Sequence, residues 1–271
     1  MSDLLLSDKN AVIYGGGGAF GGAIAKVFAR EGARVFLAGR TQAKLDAVAD
    51  AIAATGGKAE TALVDVFDQE AVDKHAEAVA ATAGSIDIAL NAVSVMHDQG
   101  TMLADLSLEE FMRPIDGFLR TLFLTSKAVA RHMGHERPGV ILTLSEPGSK
   151  LAIPGILGHS VSAAGKEAFT RGLAAELAPH NIRVVGIRPH AVVDGPAAGS
   201  YTGELFRPMA AASGQSVQEM LEDEAGLAQG TLLKRLPTLA EVAETAAFLA
   251  SDRAGAMTGA IANLSAGALV D

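Results

Sequence analysis

Short apolar runs alternate with helix-like segments along the whole chain. Seven runs are bounded by Gly, Asn or Asp, as buried strands are: NAVIYG, ARVFLAG, AETALVD, IDIALNA, GVILTLS, NIRVVGIRP and GAIANLS. Segments with helical spacing, such as AFGGAIAKVFAREG and TQAKLDAVADAIAATGG, lie between them. This alternation predicts an α/β fold, a doubly wound parallel sheet with helices on both faces and right-handed crossovers. Because there is no linker and no internal repeat, we expect one domain over residues 1–271.

Residues 195–230 interrupt this alternation of strands and helices with a long, weakly periodic insertion before the last helix and strand. Connections of this length are usually lids or binding loops. A pair of amphipathic surface helices fits the pattern equally well, and both descriptions can hold together. We therefore expect a substrate lid at 195–230.

The composition limits the class of protein. The chain is 49% hydrophobic and 20% charged and has no cysteine, which allows a large core and excludes disulfides and thiolate chemistry. The net charge of −9 argues against nucleic-acid binding, which needs clustered positive charge. No apolar run reaches the roughly 20 residues that span a bilayer, and the acidic start MSDLLLSDKN is unlike a secretory signal. We expect a cytoplasmic protein with a small-molecule substrate.

The segment YGGGGAFGG follows the first predicted strand and opens the first predicted helix. Glycines there let the backbone approach a pyrophosphate, and a helix N-terminus adds free N–H groups and positive potential. This context predicts a dinucleotide site formed by Gly15, Gly18, Ala19, Phe20 and Gly21.

Residues after the next strands refine the nucleotide prediction. Arg40 follows the second strand, where an acidic residue would bind the ribose 2′-hydroxyl of NAD, whereas a guanidinium suits the 2′-phosphate of NADP. Asp65 ends the third strand, with Val66 directly after it, and Asn91 ends the fourth, at the edge where open α/β sheets bind ligands. We expect NADP(H) as the cofactor, with NAD(H) less favoured; the alternative is that Arg40 is merely solvated.

The order and spacing of several segments resemble the short-chain dehydrogenase/reductase (SDR) family over essentially the whole chain. These segments are the glycine-rich turn, LVDV, DIALNA, SVSAAGKEAFTRGLAAELAPHNIRV, IRP and RLPTLAEVAETAAFLASDRAGAMTGAIANLSAG. The resemblance implies a Rossmann-type sheet of about seven strands, NAD(P)-dependent redox chemistry and a homo-oligomer, tetramer or dimer. The chain departs from the family where Ala19 replaces the middle glycine of the turn and where Pro189-His190 replaces Pro-Gly. The resemblance places Pro189 at the cofactor and His190 near the nicotinamide.

The same resemblance indicates that the usual catalytic positions are substituted. SDR enzymes use Asn, Ser, Tyr and Lys, and the register assigns these positions to Phe118, Glu146, His159 and Ala163, with Ser145 directly before Glu146. The segment LTLSEPGSKLAIPG also resembles enoyl-acyl-carrier-protein reductases, but the Tyr and Lys positions of those enzymes hold Ile156 and Ala163 here.

The changed residues suggest a different proton donor. Histidine titrates near neutral pH without help, whereas tyrosine needs a neighbouring ammonium, so losing Tyr and Lys together is chemically coherent. Glu146 is expected to orient His159 and keep it charged. Lys166 is expected to be a solvated helix residue, although its side chain leans back towards the turn at Ala163. Alternatively, His159 is a packing histidine in a domain that has lost catalysis.

Further polar residues follow strand ends and are expected in the same cleft. The candidate catalytic residues are His159, Glu146, Ser145 and His190, and the candidate substrate contacts are His97, Asp194 and Tyr201. A zinc site built from the three cleft histidines and Glu146 is an alternative, but the spacing matches no metal motif and we expect no metal.

Three functions remain open. The first is an NADP(H)-dependent SDR-like oxidoreductase that reduces an apolar carbonyl, enoyl or imine compound with His159 as proton donor. The second is a lyase, isomerase or dehydratase that uses His159 and Glu146 as acid and base. The third is a catalytically inactive NADP-binding regulatory protein. Cofactor binding, with or without turnover, separates them.

Overall fold

Within residues 4–134, 137–222 and 226–271, which this computed structural model describes, seven strands alternate with eight α-helices. The strands are β1 (Asn10–Tyr14), β2 (Arg34–Gly39), β3 (Lys58–Leu63), β4 (Ile88–Asn91), β5 (Gly139–Leu144), β6 (Ile182–Pro189) and β7 (Ile261–Leu264). The helices are α1 (Ala19–Arg30), α2 (Gln42–Ala53), α3 (Gln69–Ala83), α4 (Leu108–Ala130), α5 (Leu157–Leu177), α6 (Thr202–Ala212), α7 (Val217–Glu222) and α8 (Leu239–Ala250). Short 3-10 turns occupy Pro147–Ser149, Ala178–His180, Leu227–Gly230 and Asp252–Ala254.

The strands form one parallel sheet in the order β3-β2-β1-β4-β5-β6-β7. The chain winds outwards in one direction from β1 to β3 and in the other from β4 to β7. At the point of reversal the end of β1, Tyr14, pairs with Asn91 at the end of β4. Connections diverge there, so a crevice opens beyond the carboxyl ends of the strands, where such sheets bind ligands.

Helices cover both faces of the sheet, as the alternation of elements predicted. Ala11 and Ile13 belong to the core shared with α1 and α8, whereas Val12 and Tyr14 belong to the core shared with α3, α4 and α5. Because both faces are buried, the central strands are apolar at nearly every position. Burying one large aliphatic side chain contributes about 1.5–3 kcal/mol, so these two layers supply most of the driving force for folding.

The third strand is shorter than the sequence predicts, whereas the insertion matches one of its two predicted descriptions. The third strand ends at Leu63, so Asp65 and Val66 lie in the connection to α3 rather than in the strand. The insertion at 195–230 contains α6, α7 and a short 3-10 turn, which agrees with the prediction of surface helices. Residues 223–225 of this insertion lie outside the described residues.

Small residues bring α4 and α5 close together. A Cβ at Gly158 would lie 2.7 Å from the carbonyl oxygen of Phe111, and one at Gly165 would lie 3.1 Å from the side chain of Leu119. Larger residues at these two positions would push the helices apart. The contact therefore holds the first turn of α5, which contains His159, against α4.

Candidate active site

A cavity of about 640 Å³ opens beyond the carboxyl ends of β1 and β2. The glycine-rich turn forms one wall, the start of α2 a second, and the insertion with α6 a third. The lining residues are Gly15, Gly17, Gly18, Ala19, Phe20, Gly39, Arg40, Thr41, Lys44, Leu45, Val64, Val66, Ala92, Val93, Ser94, Met96, Pro196, Gly199, Ser200, Tyr201, Gly203, Glu204, Arg207 and Val217. Its volume lies in the range of ordinary ligand and cofactor sites.

The turn between β1 and α1 can be built only with glycine at two positions. Gly15 has φ +82°, and a Cβ on it would lie 2.5 Å from the carbonyl oxygen of Ala92. A Cβ on Gly21 would lie 2.3 Å from the carbonyl oxygen of Gly15, so Gly21 supports the turn from beneath and does not line the cavity as expected. Gly18 is the N-cap of α1 and makes no side-chain cap hydrogen bond, which leaves the first N–H groups of the helix available to an anion.

Two exposed cations flank the cavity where β2 ends. Arg40 follows the strand and Lys44 lies in the first turn of α2. Neither forms a salt bridge with any residue that the structure describes. Asp65, in contrast, does not line the cavity; its Oδ1 accepts a hydrogen bond from the backbone N–H of Phe67 at 3.0 Å. The arrangement suits an anion beside Arg40 and Lys44.

A second cavity, of about 260 Å³, lies beyond the ends of β4, β5 and β6. Its apolar lining residues are Phe20, Ala92, Val93, Phe118, Leu122, Leu144, Pro147, Gly148, Leu151, Ile153, Ile156, Pro189, Ala191, Val192, Leu205, Phe206, Met209 and Leu227. Its polar lining residues are Asn91, Ser94, Gln99, Ser145, Glu146, His159, Lys166, His190, Tyr201 and Thr202. A largely apolar cavity with a few polar groups at one end is typical of a small-molecule site.

The two cavities are contiguous. They share five lining residues: Phe20, Ala92, Val93, Ser94 and Tyr201. A ligand in the first cavity can therefore contact a molecule in the second.

Glu146 and Lys166 form an ion pair at the polar end of the second cavity. The Nζ atom of Lys166 donates to Oε1 of Glu146 at 2.5 Å, and it lies 4.3 Å from the centre of the Phe118 ring. Burial opposes ionisation of Glu146, but Lys166, with smaller contributions from His159 and His97, holds the pKa of Glu146 below its usual value. Lys166 is 5% exposed, so the expectation that it is solvated was wrong.

His159 is buried and contacts a second histidine. Its Nδ1 atom lies 3.1 Å from Nε2 of His97, and the planes of the two rings differ by 10°. Burial lowers the pKa of His159 to about 4; the Glu146 carboxylate opposes this shift, whereas His97 and Lys166 add to it. His159 is therefore uncharged at neutral pH. Contrary to expectation, Glu146 does not keep it charged, because burial of the imidazole outweighs the effect of the carboxylate.

Ser145 and His190 lie beside this centre; the hydroxyl of Ser145 and the Nδ1 atom of His190 already have hydrogen-bond partners. The hydroxyl of Ser145 donates to Oε1 of Glu167 at 3.1 Å and also lies 3.3 Å from the carbonyl oxygen of Ala163, so it points into α5. The Nδ1 atom of His190 accepts from the backbone N–H of Ala191 at 2.7 Å. Burial lowers the pKa of His190, so its imidazole is neutral at neutral pH.

The three expected substrate contacts have different positions. Tyr201 lines both cavities; burial raises the pKa of its hydroxyl, and the Glu146 charge raises it further, so the phenol stays protonated. His97 lies behind His159 and lines neither cavity. Asp194 lines neither cavity and accepts from the backbone N–H of Leu239 at 2.9 Å, which makes it a support for the start of α8 instead of a substrate contact.

Asn91 and Pro189, expected at the cofactor, line the second cavity and not the first. Asn91 donates through Nδ2 to the hydroxyl of Thr125 at 3.0 Å and accepts at Oδ1 from the N–H of Val93 at 3.2 Å. Asn91 therefore braces the chain where it leaves β4 and turns between the two cavities.

Sequence reasoning missed several residues of the site. Lys44, Gln99 and Arg207 line the cavities, and Lys166, which was expected to be solvated, reaches from α5 to Glu146 beyond the end of β5. For Lys166 a signal existed, because seven residues separate it from His159 and two helical turns return to the same face. Gln99 and Arg207 lie in irregular or weakly periodic segments, which carry no comparable spacing signal.

Comparison with known proteins identifies the family. The family model described as Enoyl-(Acyl carrier protein) reductase matches residues 18–268. The chain belongs to the short-chain dehydrogenase/reductase family. SDR proteins are oxidoreductases that bind NAD(P)(H).

Relatives of this SDR cover its whole length. It is 30% identical over 264 residues to the 3-oxoacyl-(acyl-carrier-protein) reductase FabG of Chlamydia muridarum, which is 97% of this chain and 98% of the relative. It is 32% identical over 263 residues to an uncharacterized oxidoreductase of Methylorubrum extorquens, again 97% of this chain and 98% of the relative. A solved short-chain dehydrogenase/reductase from Serratia marcescens superposes with a TM-score of 0.80 at 26% identity, covering 97% of this chain and 99% of that one.

The described residues form neither a metal-binding cluster nor a membrane-spanning helix. No group of three or more His, Cys, Asp or Glu side chains in that part of the SDR is arranged to hold a metal ion. Among the same residues, no helix combines the length and the apolar character needed to cross a bilayer.

Proposed function

We propose that this SDR is an NADP(H)-dependent oxidoreductase that interconverts a hydroxyl and a carbonyl group on a largely apolar small molecule. The observation that carries the proposal is the junction of the two cavities. A glycine-rich cavity flanked by cations shares five lining residues with an apolar cavity that ends at His159, Glu146 and Lys166. Imine and enoyl substrates, which the sequence left open, are tested with the same substrate panel.

The first cavity has the groups that an NADP dinucleotide needs. The free N–H groups at the start of α1 would hold the pyrophosphate, and Arg40 with Lys44 would hold the 2′-phosphate. When bound, NADP(H) supplies the hydride chemistry. The protein must then bind the substrate, exclude water and move one proton.

His159 is the proposed proton carrier. Oxidation of a hydroxyl to a carbonyl removes a hydride from carbon and a proton from oxygen, and neutral His159 would accept that proton; in the reverse reaction the imidazolium returns it. The expected role of His159 as proton donor thus applies to its protonated form. The Lys166 ammonium, paired with Glu146, lies beside the reacting oxygen in this proposal and stabilises negative charge that develops there.

Apolar side chains from three elements support the substrate class. Phe118 and Leu122 from α4, Ile156 before α5, and Leu205 with Phe206 from α6 surround the second cavity. Because the charges of Glu146 and Lys166 cancel, the site favours a neutral substrate with one polar group over a charged one.

Cofactor binding and turnover test the proposal together. NADPH and NADH are titrated by cofactor fluorescence, and cofactor absorbance is followed with apolar ketones, secondary alcohols, imines and enoyl thioesters. We expect tighter binding of NADPH than NADH, turnover of a ketone–alcohol pair, and loss of turnover without loss of binding in His159→Gln. Absence of binding to either cofactor refutes the proposal. Binding without turnover indicates a regulatory protein, and substrate conversion without a change in cofactor absorbance indicates a lyase or isomerase.

A homo-oligomer completes the proposed function. The outer faces of α4 and α5 carry exposed apolar side chains, namely Leu108, Met112, Phe123, Leu157 and Val161. Such a patch on a surface next to the second cavity is typical of a protein–protein contact. A second copy of the chain is the proposed partner.

A further inference from the structure

His97 is a buried histidine for which the proposed reaction has no direct use. It lies in the connection after β4, is 5% exposed and lines neither cavity. Its Nδ1 atom lies 2.8 Å from the backbone carbonyl oxygen of Val95. A carbonyl oxygen only accepts hydrogen bonds, so Nδ1 of His97 must carry a proton. In the neutral ring, Nε2 of His97 is then an acceptor.

Two donors converge on that acceptor. The side-chain amide Nε2 of Gln99 lies 3.2 Å from Nε2 of His97, and Nδ1 of His159 lies 3.1 Å from the same atom. Because the acceptor has no proton of its own, Nδ1 of His159 must donate. The Nε2 atom of neutral His159 is therefore unprotonated. It faces Gly148, where a Cβ would lie 3.0 Å away, and the second cavity.

We infer that His97 is a positioning residue that holds His159 in the Nδ1–H tautomer and so presents the unprotonated Nε2 atom of His159 to the substrate hydroxyl. The identity of the substrate group rests on the proposed function. The tautomer does not, since it follows from the hydrogen bonds of the protein alone. The proton leaves the hydroxyl oxygen and forms a new N–H bond at Nε2 of His159, while the chain of hydrogen bonds behind it stays unchanged.

The charges around the two rings are compatible with neutral imidazoles at neutral pH. Burial lowers the pKa of His97; the Val95 carbonyl and the Glu146 and Asp98 carboxylates oppose the shift, and Lys166 adds to it. Glu146, His97 and Lys166 are the titratable groups that act on His159. The rings of Phe118 and Tyr201 pack against His97 with centroid distances of 5.8 and 6.1 Å, and both are uncharged.

Histidine NMR measures the tautomer directly. Long-range ¹H–¹⁵N spectra of the ¹⁵N-labelled, cofactor-free protein at neutral pH distinguish protonated from unprotonated ring nitrogens, and His159→Gln assigns the His159 signals. We expect a protonated Nδ1 and an unprotonated Nε2 for His159. A predominant Nε2–H tautomer in the unmodified protein overturns the inference, whether or not any substrate is turned over.

Two variants test whether His97 causes this state. His97→Gln replaces the acceptor nitrogen with an amide oxygen acceptor, whereas His97→Leu has no acceptor; the exposed His180→Gln is the matched control, which should change neither the tautomer nor turnover. We expect His159 to keep its Nδ1–H tautomer in His97→Gln and to lose it in His97→Leu. An unchanged tautomer in a folded His97→Leu protein overturns the role of His97. If His97→Leu does not fold, the spectra of the unmodified protein and of His97→Gln still show whether His159 adopts the Nδ1–H tautomer.

Kinetics provide a second measurement once a substrate is known. His97→Leu should lower kcat for alcohol oxidation on the order of 10²-fold, the usual contribution of a positioned base, and leave the NADPH dissociation constant unchanged. His97→Gln should restore most of kcat. Equal losses of kcat in both variants would mean that His97 acts only through packing.

Discussion

At the scale of single residues, a buried neutral histidine differs from a tyrosine in its dependence on pH. Burial lowers the pKa of His159 from its usual 6.5 to about 4, so at pH 7 roughly one molecule in a thousand carries the imidazolium. The base form is present at every pH well above 4. We therefore predict that kcat/KM for alcohol oxidation is flat from about pH 6 upwards and falls below pH 5. Carbonyl reduction, which needs the imidazolium, should accelerate as the pH is lowered from 7 towards 4.

Two substitutions test whether His159 causes the fall of kcat/KM at low pH, the acidic limb of the profile. Glu146 opposes the lowering of the His159 pKa and Lys166 adds to it, so Lys166→Met should move the acidic limb to higher pH and Glu146→Gln to lower pH. His159→Gln should abolish turnover at every pH. Profiles that do not move in either variant would show that another group titrates.

The cations beside the first cavity determine the predicted cofactor preference. Replacing Arg40 with Asp removes a charged hydrogen-bond donor and adds repulsion, which costs about 1.5–3 kcal/mol of NADPH binding, or roughly 10- to 150-fold in affinity. NADH binding should be unchanged or stronger. Calorimetric titration of both cofactors measures this, with Lys26→Asp, an exposed residue of α1 outside both cavities, as the matched charge change. Equal losses for NADH and NADPH would contradict recognition of the 2′-phosphate.

The ion pair of buried Lys166 and partly exposed Glu146 leads to a prediction about stability. Lys166→Met leaves the partly buried Glu146 carboxylate without its partner, which costs up to about 3 kcal/mol of unfolding free energy, whereas the double variant with Glu146→Gln should recover most of the loss. Urea unfolding of the two single variants and the double variant gives the interaction free energy between Glu146 and Lys166. The exposed pair of Glu70 and Lys74, 2.6 Å apart, is the control, and Lys74→Met should cost less than about 0.5 kcal/mol. Similar effects at the two lysines would show that Lys166 is not buried in solution.

At the scale of elements, the two faces of α6 line different cavities. Thr202, Leu205, Phe206 and Met209, spaced as one helical face, line the second cavity, while Gly203, Glu204 and Arg207 line the first. The helix therefore contacts both ligands of the proposed reaction, and its two faces can be changed independently.

We predict that Phe206→Ala raises KM for an apolar substrate about tenfold and leaves the NADPH dissociation constant unchanged, because it removes a large apolar contact from the second cavity. Arg207→Ala should weaken NADPH about two- to fivefold without changing KM, a small effect because Arg207 is exposed and paired with Glu204. Arg113→Ala, an exposed arginine on α4 paired with Glu109, is the control for surface charge. If both variants changed KM and cofactor affinity alike, the two faces of α6 would not contact the substrate and the cofactor separately.

The elements also show what the sequence could predict. The seven strands and the glycine-rich turn were predictable, because apolar runs bounded by turn residues and a turn between strand and helix are local signals. The partners of Glu146 and His159 were not, because Lys166 and His97 reach them from positions 20 and 62 residues away. Burial then reversed two expectations drawn from ordinary pKa values and propensities: His159 is uncharged, and Lys166 is not solvated.

At the scale of the whole molecule, the proposed oligomer depends on the outer faces of α4 and α5. The inner faces of both helices are buried against the sheet, but Phe123 is 51% exposed and Val161 is 41% exposed. On α5, the exposed residues near Val161 are small, Ala164 and Ala168, so another helix can approach closely. Small apolar side chains at a contact bury area at low cost in side-chain entropy.

We therefore predict that Ala168→Glu dissociates the homo-oligomer, since it introduces charge and volume at the proposed centre of contact. Light scattering coupled to size-exclusion chromatography should give a dimer or tetramer for the unmodified protein and a smaller species for the variant. Phe248→Glu, at an exposed apolar residue of α8, is the matched control and should leave the mass unchanged. Because α4 and α5 also carry Phe118, His159 and Lys166, dissociation should lower kcat as well. A monomeric unmodified protein, or a variant that keeps its mass, would contradict this interface.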